Sequence, residues 1–444
     1  MISPILARRD AAGFWMAVLL TGIGTGLSAA ALTELLELVQ HTLWSGNGVD
    51  LLDAAARTAA WKHIVILLGA GLLTGAGQLL LVRLSAANSI DITAAIWFHA
   101  GRLPALRTLG SAVLSILVVG MGASLGREGA PKQAGAVVAN VLSDRVRLSD
   151  DQRRLLVACG AGAGMAAAYG VPLGGALFAL EVLRGELALR FVLPALLTSL
   201  IATGVSWAFL PDAPTYQIPS YAGSAGSVLW ALLAGPAIAV VSVGYVRAVA
   251  WADRHRPQGP WRLAAPAVAL TVLGMVSIAF PQLLGNGRDI AQLAFTNQAA
   301  PLLLLALLLL KPAATLLCLG SGTPGGLFTP TLAIGALLGG VLGVPWSHIW
   351  PGTAPGLCAV LGAAALLAAT TQGPLSAIVL MMELTGHARA FIVPLLLIVA
   401  IATLVARTIE PRSIYDARLT DAEVLKRQRE RDPPSITRRR RPED

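Results

Sequence analysis

Apolar residues are gathered into long blocks that recur along the chain: Ala11 to Leu32, Ile64 to Val82, Ser111 to Ala123, Leu155 to Leu180, Val192 to Leu210, Val228 to Val246, Leu263 to Phe280, Pro301 to Leu310, Leu357 to Met382 and Phe391 to Val405. Several reach the roughly 20 residues with which a helix crosses about 30 Å of hydrocarbon, and others fall short of a full span. The mixture predicts membrane helices, some of them broken or re-entrant. Backbone groups inside a bilayer must be paired within the protein, so the expected fold class is an all-α polytopic membrane protein.

Composition agrees with this pattern. Of 444 residues, 55% are hydrophobic and 13% charged, and the mean hydropathy is +0.70, where a soluble globular chain carries about a quarter charged residues. The first block follows Arg8 and Arg9. It is long, lacks a small-residue cleavage site and precedes many similar blocks, so it reads as the first membrane helix and not as a secretory signal. The net charge is +9, and the tail from residue 417, with nine basic and six acidic residues, carries +3 of it, with Arg438, Arg439, Arg440 and Arg441 near its end. A basic tail beside membrane helices points to cytoplasmic termini and gives no reason to invoke nucleic acid. Cys159, Cys318 and Cys358 all lie in apolar blocks, which predicts core packing and no disulfide framework.

The chain also repeats itself. Gly160, Pro172, Leu173 and Glu181 fall on Gly362, Pro374, Leu375 and Glu383 at a constant offset of 202 residues, while Gly126 and Gly135 fall on Gly326 and Gly335 at an offset of 200, which sets Glu128 opposite Phe328. The expected organisation is a short cytoplasmic N-terminus (1–11), a first transmembrane half (12–217), a linker (218–225), a second half (226–416) and a basic cytoplasmic tail (417–444), with no soluble domain appended. Duplicated membrane proteins with Gly- and Pro-interrupted segments at matching places build their substrate sites at the repeat interface, near the midplane.

Three interruptions stand out: Gly122 to Gly129, Gly320 to Gly326 and the softer Ala86 to Asp91. A helix that starts at membrane depth after such a break aims free N–H groups and the positive end of its dipole inward, an anion site that needs no full cationic charge. Such a site binds weakly enough to release its ion, which permeation requires. Glycine-mediated helix packing is the competing explanation. The recurrence in both halves and the carboxylate of Glu128 inside one break favour an ion site, because an intramembrane carboxylate is expensive. Set among helix N-termini, that carboxylate can occupy an anion's place and withdraw on protonation; a structural ion pair with Arg127 is the alternative.

These residues resemble the CLC family of chloride channels and proton-coupled anion exchangers, specifically bacterial members without CBS domains. The family's gating motif Gly-Lys/Arg-Glu-Gly-Pro is similar to Gly126-Arg127-Glu128-Gly129-Ala130, its Gly-x-Phe-x-Pro motif to Gly326-Leu327-Phe328-Thr329-Pro330, and its pore tyrosine to Tyr415. The resemblance runs from about residue 15 to about residue 420. It implies an inverted repeat of two halves whose broken helices meet at a mid-membrane anion site, and a homodimer with one pathway per subunit in a bacterial plasma membrane. It further implies that Glu128 is the external gate, that Leu327 and Phe328 offer backbone N–H groups to the ion, and that Tyr415 offers a hydroxyl at the inner constriction.

Three positions depart from the family pattern. Asn88 stands where the family has the serine that touches the central ion, and its amide N–H donors suit a smaller, more basic anion. Ala130 replaces the motif proline, with Pro131 following. Val182 stands at the inner proton-transfer glutamate of the exchangers, so the usual inner proton route is absent. Valine there resembles the channel members; an atypical serine motif without the inner glutamate also resembles the fluoride-exporting branch, which couples to protons. Chloride and fluoride, channel and antiporter, all stand as readings of the sequence.

Other ionisable residues draw plainer expectations. Glu181 and Glu383 predict a structural role at a helix end or subunit contact, with proton handling as the alternative, and Lys132 and Lys311 predict cations that snorkel to an interface, with a raised local potential as the alternative. His99, His255 and His387 show no metal-ligand spacing, so neither a metal nor another cofactor is expected. No Ser-His-Asp arrangement, phosphate loop or dinucleotide fingerprint supports an enzyme. A transporter of organic anions would need an Arg or Lys clamp, and few basic residues lie in the blocks.

Overall fold

The computed structural model describes residues 11–44, 51–85, 90–387 and 389–416, together with 419 and 423. The first half contains α1 (Ala11–Trp44), α2 (Leu51–Arg57), α3 (Ala60–Leu84), α4 (Ile92–Phe98), α5 (Ala105–Gly120), α6 (Gly129–Val146), α7 (Asp150–Tyr169), α8 (Pro172–Leu177) and α9 (Leu189–Ser206). The second contains α10 (Ala225–Arg254), α11 (Trp261–Ala279), α12 (Arg288–Phe295), α13 (Pro301–Gly320), α14 (Phe328–Ile349), α15 (Pro355–Thr371), α16 (Pro374–Thr385) and α17 (Ile392–Ile409). Eight described helices are long and apolar enough to cross a bilayer.

Local chemistry explains where the long apolar blocks divide. The block from Leu155 to Leu180 ends α7 at Gly170, in the left-handed region with φ +67°, and restarts at Pro172, the first residue of α8. The block from Leu357 to Met382 divides identically: Gln372, at φ +58°, follows α15, and Pro374 opens α16. Proline suits a helix start, and the left-handed region normally demands glycine. Gln372 holds that conformation with help from Arg407, which donates to its side-chain oxygen at 2.9 Å and to its carbonyl at 3.0 Å. Ser149 and Gln152 form a capping box that starts α7.

Reciprocal contacts define how the halves face each other. Gly126 N–H donates to the Gly326 carbonyl at 2.7 Å, and Gly326 N–H donates to the Gly126 carbonyl at 2.8 Å. Glu181 accepts from the N–H groups of Leu375 and Ser376 at the start of α16, at 3.1 and 2.6 Å. Glu383 accepts from those of Leu173 and Gly174 at the start of α8, at 3.0 and 2.7 Å. When position i meets j and the equivalent of j meets the equivalent of i, an approximate two-fold axis relates the units, as in an isologous interface. Glu181 and Glu383 therefore act at helix ends, each at the start of the other half's short helix.

Each carboxylate satisfies two helix N-terminal donors and complements the dipole. Removing a capping side chain costs about 0.5–2 kcal/mol. Glu181→Ala and Glu383→Ala should each lower the unfolding temperature in detergent; two unchanged melting curves would contradict the cross-half caps.

Repeat glycines outside the breaks serve packing. A Cβ on Gly335 would meet the Gly362 carbonyl at 2.7 Å, and one on Gly362 the Gly335 carbonyl at 2.6 Å. The equivalent Gly135 and Gly160 are pressed together in the same way. Close helix approach through small residues thus accounts for these glycines, in contrast to those of the breaks. The three cysteines are buried and free.

Candidate functional site

Two equivalent turns place two helix starts face to face. After α5, Gly122 adopts φ +109°, and after α13, Gly322 adopts φ +90°. The N–H of Ala123 then returns to the Val118 carbonyl at 3.1 Å, and that of Thr323 to the Cys318 carbonyl at 3.2 Å. Both are glycine-terminated C-caps that stop a helix and turn the chain. A few residues on, the Gly126–Gly326 bridge clamps the turns together, and α6 and α14 begin just beyond it.

Glu128 stands at the N-cap of α6 but does not cap its own helix. Its side chain, with no solvent exposure, crosses to the start of α14, where the Phe328 N–H donates to Oε1 at 2.7 Å. The Thr329 hydroxyl donates to Oε2 at 3.1 Å and the Tyr169 hydroxyl reaches the same oxygen at 3.4 Å. The two hydroxyls also lie 2.7 Å apart, and with one proton each they fill two of these three contacts at a time. Arg127 turns its guanidinium over the Tyr169 ring, 5.0 Å from the centroid. Glu128 takes these hydrogen bonds from α14 and Tyr169, in place of the structural pair with Arg127 that the sequence left open. The carboxyl group thus sits at the N-terminal end of a helix, where the dipole and free N–H groups favour negative charge.

Glycine is required around it for space. A Cβ on Gly126 or Gly326 would stand against the Glu128 carboxylate, and one on Gly129 would lie 3.1 Å from the Gly326 nitrogen. Leu327 is the N-cap of α14 and is buried, but the described hydrogen bonds to the carboxylate come from Phe328, Thr329 and Tyr169.

Tyr415 lies beside Lys132 of α6, whose Nζ is 4.9 Å from its ring centroid. Beyond α17, Glu410 accepts from Arg412 at 2.7 Å and from Arg247 at 3.0 Å, and the Arg412 hydrogen bond, with help from Arg247, holds its carboxyl below the usual range. Asp416 accepts from the Ser413 hydroxyl at 2.8 Å, and the Ile414 N–H donates to the Thr370 carbonyl at 2.7 Å. This turn docks Tyr415 against α15. Its ring meets Phe178 edge-on, with centroids 5.7 Å apart at 81°.

Val182 is buried in a π-helical stretch, Phe178–Arg184, that continues α8. Such irregular turns recur at functional sites. Asn88 lies outside the described residues, as does most of the break Ala86–Asp91; of that break, Asp91 caps α4 by accepting from the Thr93 N–H at 2.8 Å.

Two expectations are overturned. Lys311 does not snorkel: it is fully buried, and its Nζ donates to Ser124 Oγ at 2.8 Å, the Gly285 carbonyl at 2.9 Å and the Leu283 carbonyl at 3.3 Å. Oxygen atoms at membrane depth hold the ammonium better than a distant interface would. Lys132 is also buried, 6% exposed, with Nζ 4.9 Å from the Tyr415 ring centroid and 5.3 Å from that of Phe178. Aromatic faces attract an ammonium strongly when it is desolvated.

Sequence reasoning missed Tyr169 and Thr329. The chain has only five tyrosines, and that scarcity is the sequence signal that could have drawn attention to Tyr169 just before the α7–α8 turn.

Paired helix starts, bridged face to face across a two-fold repeat, define a membrane protein of the broken-helix class with a buried carboxylate crossing from one helix start to the other. The family model for the voltage gated chloride channel matches residues 74–407, and the chain belongs to that family. It is similar to the voltage-gated ClC-type chloride channel ClcB of Escherichia coli K12, 30% identical over 409 residues that cover 89% of this chain and 96% of that one. The structure of a slow cyanobacterial Cl−/H+ antiporter aligns with a TM-score of 0.79 at 24% identity over 94% of this chain and 98% of that one. A CLC-type fluoride/proton antiporter aligns with a TM-score of 0.74 at 23% identity over 93% and 99%. At these identities the two structures establish the shared fold.

Proposed function

We propose that the protein moves small halide anions across a bacterial plasma membrane, with Glu128 as the gate. The observation that carries this reading is the Glu128 carboxylate at the start of α14, 2.7 Å from the Phe328 N–H. A halide needs the same donors, so carboxylate and ion compete for one place. Protonation removes the charge that holds the side chain there, and charge-assisted hydrogen bonds are roughly twice as strong as neutral ones. The ion then enters and continues toward Tyr415. Membership of a chloride-channel family and similarity to ClcB support chloride as the ion.

Fluoride is the second reading, favoured by Asn88 at the serine position and by the likeness to a fluoride/proton antiporter. Chloride and fluoride efflux from liposomes holding the purified protein separates the two. Chloride flux equal to or above fluoride flux supports chloride, a large fluoride preference supports export of fluoride, and no flux of either would contradict halide transport. With valine at 182, coupling to protons depends on another inner route; a reversal potential that shifts with a proton gradient identifies an antiporter, and one that does not identifies a channel.

The remaining assignments are a homodimer with one path per subunit, both termini in the cytoplasm, and transport in place of an enzymatic reaction. The glycines offer a separate test of the gate. Gly326→Ala places a methyl group against the Glu128 carboxylate, so it should expel the side chain, raise halide flux at neutral pH and flatten its pH dependence. Flux and pH profile identical to wild type would contradict a gate at this position.

A further inference from the structure

Lys132 is a buried cation that neither the repeat nor the family motifs account for. It follows Glu128 by four residues on α6, its N–H donating to the Glu128 carbonyl at 3.3 Å, so the two side chains share one face of the helix, one turn apart. It lies in the first turn, where the helix dipole opposes a cation by about 0.3–1 kcal/mol, and it is withdrawn from solvent. A charged group at bilayer depth adds about 2.5–3.5 kcal/mol on insertion scales. A residue that breaks two local rules at once marks a functional position more often than a structural one.

Its place relative to the proposed path gives it a task. The ammonium stands above the meeting rings of Phe178 and Tyr415, at 5.3 and 4.9 Å from their centroids. An ion released from the Phe328 N–H toward Tyr415 passes the next turn of α6, which carries Lys132. We infer that Lys132 supplies a full positive charge to an inner halide site beside Tyr415, setting the affinity of that site. The inference rests on the halide reading proposed above. Where helix N-termini alone provide partial charge, a unit charge 4 Å from an ion contributes on the order of 4 kcal/mol at an effective dielectric constant of about 20. Binding is therefore tighter, and release slower, than in a site built from backbone donors and a hydroxyl.

The test compares wild type, Lys132→Met and Lys132→Arg, each monodisperse in detergent, by calorimetric titration with chloride and with fluoride and by efflux from liposomes. The expected result is halide affinity reduced at least tenfold in the methionine variant and kept within about threefold of wild type in the arginine variant, since a tenfold change needs only about 1.4 kcal/mol. Lys132→Gln, which keeps an N–H donor without charge, is read in the same way if the methionine variant does not fold, and is expected to bind as weakly. Unchanged affinity in the uncharged variant, or an arginine variant as weak as the uncharged one, would overturn the inference; a structural cation over two rings would shift the melting temperature without changing halide affinity. Wild type that moves no halide would defeat the transport reading itself, whereas wild-type flux with unaltered binding in Lys132→Met defeats only the role of Lys132.

Discussion

Glu128→Gln should abolish the pH dependence of halide flux and raise flux at neutral pH to the level wild type reaches in acid. The glutamine is nearly isosteric and retains an oxygen that can accept from the Phe328 N–H, now 2.7 Å from Oε1, but it has no charge to hold against the helix start. In wild type the ionised carboxylate blocks the donors a halide needs. Raising the pH populates that state, so flux falls as pH rises, by up to tenfold per unit where the ionised form dominates, since one pH unit corresponds to about 1.4 kcal/mol. The glutamine variant cannot titrate and should give a flat profile. Any proton movement coupled through Glu128 should vanish with it. Flux from liposomes at a series of pH values reads both effects, and a variant that keeps the wild-type slope would remove Glu128 from the gate.

Lys311→Met should produce the largest loss of stability. The ammonium joins three parts of the chain: Ser124 in the break that leads to Glu128, the Leu283 and Gly285 carbonyls in the connection before α12, and α13 itself. The same connection reaches the break through the Gly285 N–H, which donates to the Gly122 carbonyl at 3.0 Å. Methionine fills similar volume but leaves buried acceptors without their donor, at about 1–3 kcal/mol for a group so stranded. With three acceptors sharing the loss and some relief from desolvation, a net cost of about 2–4 kcal/mol follows. The melting temperature in detergent should drop well below that of Glu181→Ala, and flux should fall because the break that positions Glu128 loses its support. A melting temperature within a degree or so of wild type would contradict this bracing role.

The sequence carries the repeat openly, because equivalent residues keep their chemistry: Gly126 and Gly326, Pro172 and Pro374, Glu181 and Glu383. It does not carry the relative orientation of the halves. Setting Glu128 opposite Phe328 by an offset of 200 residues is an equivalence, and becomes a contact only because the two-fold bridge brings equivalent turns together. Glu181 and Glu383 read from sequence as helix-end groups; the helices they cap belong to the other half, 194 and 210 residues away. Lys132 and Lys311 were misplaced for a related reason. A lysine in or beside an apolar block defaults to an interface unless its oxygens or aromatic faces are known, and here Lys311 finds Ser124 at a separation of 187 residues. Tyr169 and Thr329 were missed because their partner, the Glu128 carboxylate, reaches them only by crossing from α6 to α14, which sequence spacing does not show. Asn88, on which the ion's identity turns in the sequence, lies outside the described residues.

The most direct measurement is halide binding to purified wild type and Glu128→Gln by isothermal titration calorimetry at neutral pH. If the carboxylate occupies a halide's place at the start of α14, removing its charge opens that place, and the glutamine variant binds an additional halide or binds halide at least tenfold more tightly. Equal stoichiometry and equal affinity in the two proteins would mean that the carboxylate and the ion do not compete, and that Glu128 is not the gate.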